Sequence, residues 1–257
     1  MMSAILSTEA VTVRFGGLEA LSAFDFAVKK EAIHGLIGPN GAGKTTVLNV
    51  LTGFVRPTTG RLLFAGSEIG GLGVNGIAAA GLARTFQNIR LFGSMTVLES
   101  ILVGAHLRFH NSPIGLIFRS AAARRAEREM IESAYEVLDF VGLGSSAAGR
   151  IATTLSYGHQ RRVEIARALM SKPKLLLLDE PLAGMNSHEK TEIAALVCAI
   201  RAEGISVLLI EHDMQIMRSL CDHLTVLNYG KRLADGKPCE VLGDPAVQAA
   251  YLGRKRV

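Results

Sequence analysis

Apolar residues fall at every second position in two stretches near the start of the chain. Val11, Val13 and Phe15 alternate with Thr12 and Arg14, and Phe24, Phe26 and Val28 alternate with Asp25, Ala27 and Lys29. A period of two marks half-buried strands, so an antiparallel pair turning at Gly16-Gly17 is expected ahead of the short apolar run from Ile33 to Ile37. The period then lengthens: Val47, Leu48, Val50 and Leu51 share one helical face that Gly53 stops. Pro57-Thr58-Thr59-Gly60 is a turn, Arg61 to Ala65 a strand, and Gly70 to Gly81 a glycine-rich loop with a short helix.

Residues 95 to 150 change character. Gly104 to Ser120 is of mixed polarity and is broken at Asn111-Ser112-Pro113. Beyond it Met130, Ile131, Ala134, Val137, Leu138 and Val141 recur at helical spacing, with Arg125–Glu129 and Arg128–Glu132 as four-apart ion pairs on the outer face. A helical insertion is expected here, ending near Gly142 to Gly149. The α/β pattern then resumes. Val163, Ala166 and Leu169 mark a helix that ends before Pro173, and Leu175–Leu178 is the unbroken apolar run of a central parallel strand. Asn186 and Glu189 cap a helix that buries Ile193, Leu196, Val197 and Ile200. Ile205 to Ile210 is another buried strand, and strand and helix are expected to alternate up to a last helix near Ala246 to Leu252.

The 257 residues suffice for one large domain with a subdomain, and 49 % apolar content allows a sizeable core. The net charge of +5 is spread along the chain. The basic clusters Arg124-Arg125, Arg161-Arg162 and Arg254-Lys255-Arg256 are smaller than a nucleic-acid footprint. Three cysteines without metal spacing fit a reducing compartment, and the N-terminus lacks the pattern of a secretory signal. The most apolar long window, Leu62 to Ala83, contains Glu68 and six glycines, so no membrane span is expected.

The chemistry gathers around Gly38-Pro39-Asn40-Gly41-Ala42-Gly43-Lys44-Thr45-Thr46, which follows the Ile33–Ile37 strand and opens a helix. Gly, four residues and Gly-Lys-Thr form a phosphate loop. Its glycines let backbone N–H groups face phosphate oxygens, and the helix that follows contributes its positive end. Lys44 is placed for β- and γ-phosphates and the Thr45 hydroxyl for Mg²⁺. The Leu175–Leu178 strand ends in Asp179-Glu180, at the sheet edge where such loops sit. Asp179 suits the Mg²⁺ shell, and Glu180 suits orientation and deprotonation of an attacking water. His212 follows the next buried strand at the same edge, where it can hydrogen-bond the γ-phosphate. At Leu155-Ser156-Tyr157-Gly158-His159-Gln160 a helix starts; Ser156 and Gly158 either serve as a plain N-cap or present a hydroxyl and backbone N–H groups to an anion. Phe15 either packs in the core or stacks on a purine.

Together these residues resemble an ATP-binding cassette ATPase over nearly the whole chain. The resemblance rests on the phosphate loop, Gln87, the signature from Leu155 to Gln160, Asp179-Glu180 and His212. It implies an α/β P-loop NTPase (RecA-like) core with an N-terminal antiparallel β subdomain and an inserted α-helical subdomain. The expected division is a core of residues 1–90 and 151–257 with a helical part at 91–150. It also implies that two cassettes pair head to tail around two ATP molecules, so that Ser156, Gly158 and His159 serve the partner's nucleotide. Gln87 would meet Mg²⁺ or the attacking water and pass closure to a membrane subunit.

Arg84-Thr85-Phe86-Gln87-Asn88-Ile89-Arg90-Leu91-Phe92, Met95-Thr96-Val97-Leu98-Glu99, the segment 104–120 and the Ala246–Leu252 ending resemble the cassettes of branched-chain (hydrophobic) amino-acid importers. That implies a peripheral subunit on the cytoplasmic face of the plasma (inner) membrane, two cassettes on two permeases, and an external solute-binding protein. Urea, other amides and envelope lipids are the rival solutes within the transporter class. A soluble cassette acting on nucleic acid or ribosomes would carry a fused second cassette, long coiled coils or basic arms, none of which is present. Two positions depart from the family pattern: His159 stands where Gln is usual, and Asn186 where Asp is usual.

Overall fold

A computed structural model describes residues 4–108 and 121–252. The Asn111-Ser112-Pro113 break and the basic tail at 254–256 lie outside them.

The N-terminal alternation produces two long strands, β1 (Ala4–Phe15) and β2 (Leu18–Lys29), paired antiparallel around Gly16. Both extend further than the alternation predicts. The register slips between Thr8 and Val11, where Ala10 takes a positive φ of 45°, so the buried positions shift by one residue, from Leu6 and Thr8 to Val11 and Val13. β3 (Ile33–Ile37) follows, buried along its length, and the glycine-rich loop leads into α1 (Lys44–Leu51). β4 (Thr59–Phe64) and β5 (Ser67–Glu68) complete an outer antiparallel sheet in the order β2-β1-β4-β5. The short helix α2 (Val74–Ala80) then enters β6 (Leu82–Arg84).

A helical layer comes next. α3 (Val97–Leu102) is capped by a reciprocal Thr96–Glu99 box, and α4 (Ala121–Phe140) carries the predicted apolar stripe. Arg125 and Glu129 pair at 2.8 Å. Among the described residues the expected Arg128–Glu132 pair is not formed, as befits exposed side chains whose pairing gains little in water. α5 (Tyr157–Leu169) packs on this layer through Val163, Ala166 and Leu169, in one cluster with Val97, Ala134 and Leu138.

The second sheet runs β10-β9-β3-β8-β7-β6. β7 (Leu175–Asp179) leads through α6 (Ser187–Ala202) to β8 (Ser206–Ile210), and α7 (Met214–Leu220) leads to β9 (His223–Asn228). β6, β7, β8, β3 and β9 are parallel neighbours, so their carboxyl ends share one edge. The expected alternation fails once. β10 (Lys231–Gly236) follows β9 directly as an antiparallel hairpin, because Tyr229-Gly230, both at positive φ, reverse the chain in two residues. α8 (Pro238–Gly243) and α9 (Pro245–Leu252) end the described chain.

Candidate active site

The phosphate loop is locked by backbone on both sides. A Cβ on Gly38 would lie 2.2 Å from the Leu227 carbonyl oxygen of β9. Gly43, at φ 109°, would place one 2.9 Å from the Ala20 carbonyl oxygen of β2. Only glycine fits either place. The β9–β10 turn fastens the loop from above: the Gly230 amide donates to the Ala42 carbonyl at 2.8 Å, and the Gly230 carbonyl accepts from Ser22 at 3.0 Å. Lys44 Nζ donates to the carbonyls of Gly38 and Pro39 at 2.6 and 3.0 Å. Partial burial lowers its pKa, while Glu180 and Asp179 oppose that shift.

Register brings the other strand ends to this loop. Asp179 pairs with Ile210, and the Glu180 amide donates to the Ile210 carbonyl at 3.0 Å. Glu180 and His212 therefore leave adjacent strands at one height. His212 Nε2 lies 2.6 Å from Glu180 Oε1, and Gln87 Nε2 donates to Glu180 Oε2 at 2.7 Å. Both carboxylate oxygens are thus engaged, and the Glu180 backbone sits at φ 47°, a conformation a non-glycine residue rarely adopts. A cavity of about 550 Å³ is lined by Phe15, Asn40–Thr46, Glu180, His212, Tyr229 and Gly230.

Lys44, Glu180 and His212 share this cavity, with Gln87 joined through Glu180. Phe15 is half exposed at its rim rather than packed in the core. Gly38, Pro39 and Asn40 also face a second cavity of about 600 Å³, closed by α9 through Val247, Gln248 and Tyr251. Ser156, Gly158 and His159 line neither cavity. Ser156 occupies the N-cap position of α5 but its side chain makes no cap hydrogen bond, so the plain-cap reading fails for the hydroxyl. Asn186, by contrast, forms the expected box with Glu189.

Two site residues escaped the sequence reading. Arg84, at the end of β6, donates to Asp179 Oδ2 and Asn49 Oδ1 at 3.0 Å each, so it ties the acidic strand to α1. Glu211 accepts the Leu182 amide at 2.7 Å and anchors the turn that follows Glu180. Burial raises its pKa, and the Leu182 and His212 amides pull the other way. Arg84 opens the Arg84–Phe92 segment, but neither residue's role shows in the sequence, because each acts through partners remote in it.

A family model described as "ABC transporter" matches residues 21–183. The chain belongs to the ABC transporter family. A second model, "Branched-chain amino acid ATP-binding cassette transporter", matches residues 231–256. The high-affinity branched-chain amino acid transport ATP-binding protein BraF of Pseudomonas aeruginosa is 46 % identical over 254 residues, 98 % of this chain and 99 % of that protein. LivG of Escherichia coli K12, with the same description, is 41 % identical over the same shares. A crystal structure of the ADP conformation of an ATP-binding cassette superimposes with a TM-score of 0.85 at 35 % identity, covering 98 % of this chain and all of that one. The chain is therefore an ATPase subunit of an ABC transporter, which implies membrane partners. Among the described residues no helix is long and apolar enough to cross a membrane.

Proposed function

We propose that this chain hydrolyses ATP to drive uptake of branched-chain amino acids through separate permease subunits, as a peripheral subunit on the cytoplasmic face of the inner membrane. The observation that carries the reading is Glu180, held between Gln87 and His212 at the rim of the cavity that contains Lys44. Gln87 and His212 fix both oxygens of Glu180, so its carboxylate is aimed before a water arrives. Glu180 then accepts a proton from that water as it attacks the γ-phosphate. Lys44 and the loop amides hold the phosphates, and Phe15 offers its exposed ring to the base. His212 reaches the γ-phosphate while bonded to Glu180, so loss of that phosphate is felt at the base.

The Thr45 hydroxyl, the Asp179 carboxylate and the Gln87 amide are all oxygen donors, a set suited to Mg²⁺. Bound there, the ion would neutralise part of the phosphate charge. We read 1–90 with 151–257 as the catalytic core and 91–150 as the helical insertion. A second copy or a related cassette would supply Ser156, Gly158 and His159 to this nucleotide. An apolar cleft of about 400 Å³ beside Gln87, lined by Phe54, Phe86, Phe92 and Val103, suits a permease segment. The permeases in turn would receive solute from an external binding protein.

Glu180→Gln tests the reading. It removes the base and leaves the phosphate cradle, so ATP affinity should stay within about twofold while turnover falls by about 10² to 10⁴. Turnover near that of the parent protein would remove Glu180 from the mechanism.

A further inference from the structure

Arg161 is a long cation with no exposure to solvent at all, on the helix that begins at Ser156. Its Nη1 donates to the Phe86 carbonyl at 2.7 Å and to Glu164 Oε2 at 2.6 Å, and its Nη2 donates to the Gln87 carbonyl at 2.8 Å. Glu164, 1 % exposed, receives the Phe86 amide on its carboxylate. One turn further, Arg167 donates to the Arg90 carbonyl at 2.7 Å and lies 3.7 Å from Glu164. Arg161, Glu164 and Arg167 thus line one face of α5 and grip the backbone of residues 86–90. The Gln87 side chain, held at the far side of this grip, donates to Glu180.

We propose that Arg161 and Glu164 are positioning residues that join the Ser156 end of α5 to Gln87 as one rigid unit, so that an anion engaged at Ser156 is sensed at this chain's own Glu180. The inference rests on the ATPase reading above and adds residues and a direction of coupling to it. The physical ground is the choice of side chain. A guanidinium spans two carbonyls and a carboxylate with fixed fork geometry, which an ammonium does not. A buried cation is tolerable only with all these partners in place, so the arrangement cannot slacken gradually. Displacing α5 must either carry Phe86 and Gln87 along or expose the charge. Because Arg161 holds the Gln87 carbonyl itself, such a displacement acts directly on the bond from the Gln87 side chain to Glu180 Oε2.

A double-mutant cycle on the full chain, read by steady-state ATP hydrolysis, decides the matter. Arg161→Lys should leave the KM for ATP within about twofold and lower kcat by about 10- to 100-fold, the effect of a misplaced catalytic group. Gln87→Ala should show a loss of the same order. If Arg161 acts through Gln87, the pair should be no slower than the slower single variant. Losses that multiply, or an Arg161→Lys variant with unchanged kcat, would overturn the proposal. Glu164→Gln keeps an acceptor for Arg161 and enters the same cycle with the same two outcomes, should Arg161→Lys not fold. Glu180→Gln, run alongside, separates the two levels: retained turnover there removes Glu180 as the base, and this proposal with it. Lost turnover there with multiplying losses in the cycle removes the clamp alone.

Discussion

Lys44 is the residue most directly answerable to measurement. Its ammonium is already half withdrawn from water and directed into the loop by two carbonyls. Lys44→Ala removes a charge-assisted contact with phosphate, a contribution of about 1.5–3 kcal/mol, so ATP should bind about 10- to 100-fold more weakly by calorimetry. Unchanged affinity would show that the loop amides alone hold the nucleotide. On β3, the strand that leads into this loop, His34 is fully buried against Thr225, whose hydroxyl donates to Asp235 at 2.5 Å, while His223 approaches the other Asp235 oxygen at 2.9 Å. Burial, reinforced by His223 and Lys29 and opposed by Asp235, pushes the His34 pKa from 6.5 down to about 3. Below pH 6.5 the unfolded chain therefore takes up a proton that the folded chain refuses. Stability falls with pH by about 1.4 kcal/mol per unit until about pH 3. Asp235, whose pKa is lowered from 3.8, adds its own loss only below that value. His34→Gln keeps a donor for Thr225 without titrating. Between pH 7 and 5 the parent protein should lose about 2 kcal/mol more than this variant in urea unfolding. Parallel pH profiles would show that His34 is protonated in the fold.

Among the elements, those with a local signal were legible and those set by distant partners were not. The cap of α6 is the clearest success: Asn186 and Glu189 satisfy each other's backbone N–H groups. Asn186→Ala should therefore cost about 1 kcal/mol of unfolding free energy. A loss no larger than that of an exposed surface change would mean that the helix start is held by packing alone. The phosphate loop and the acidic strand were readable because glycine, lysine and carboxylate are needed at fixed spacing along one chain. The extent of β1 was not, because the bulge at Ala10 interrupts the every-second-residue alternation of buried positions. The β9–β10 hairpin was missed because Tyr229-Gly230 lacks the usual Asn-Gly or Asp-Gly signal. Arg84, Arg161 and Glu164 were hidden for a related reason: a buried charge looks like a surface charge until its partners, on other elements, are known. The signature was legible as a helix start. Ser156 does not line its own chain's phosphate-loop cavity.

That last separation is a property of the whole molecule. Ser156 is exposed and holds an N-cap position without making a cap bond, at the positive end of its helix, which suits it to receive an anion. The phosphate-loop cavity, conversely, has the exposed side chains of Phe15 and Tyr229 in its lining, and Ser156 and Gly158 take no part in it. Two copies related by a two-fold axis can satisfy both needs at once, each offering its α5 terminus to the other's γ-phosphate. Glu180→Gln should expose this pairing, because bound ATP is no longer consumed and the dimer has no exit through hydrolysis. With ATP it should run as a dimer by light scattering, and without nucleotide as a monomer. Adding Ser156→Ala removes one donor at each shared phosphate, two per dimer, at about 1.5–3 kcal/mol each. The doubly substituted protein should return to monomer at micromolar concentration while its ATP affinity as a monomer stays that of Glu180→Gln. If monomeric affinity falls as well, Ser156 serves its own chain's nucleotide and the head-to-tail arrangement is wrong.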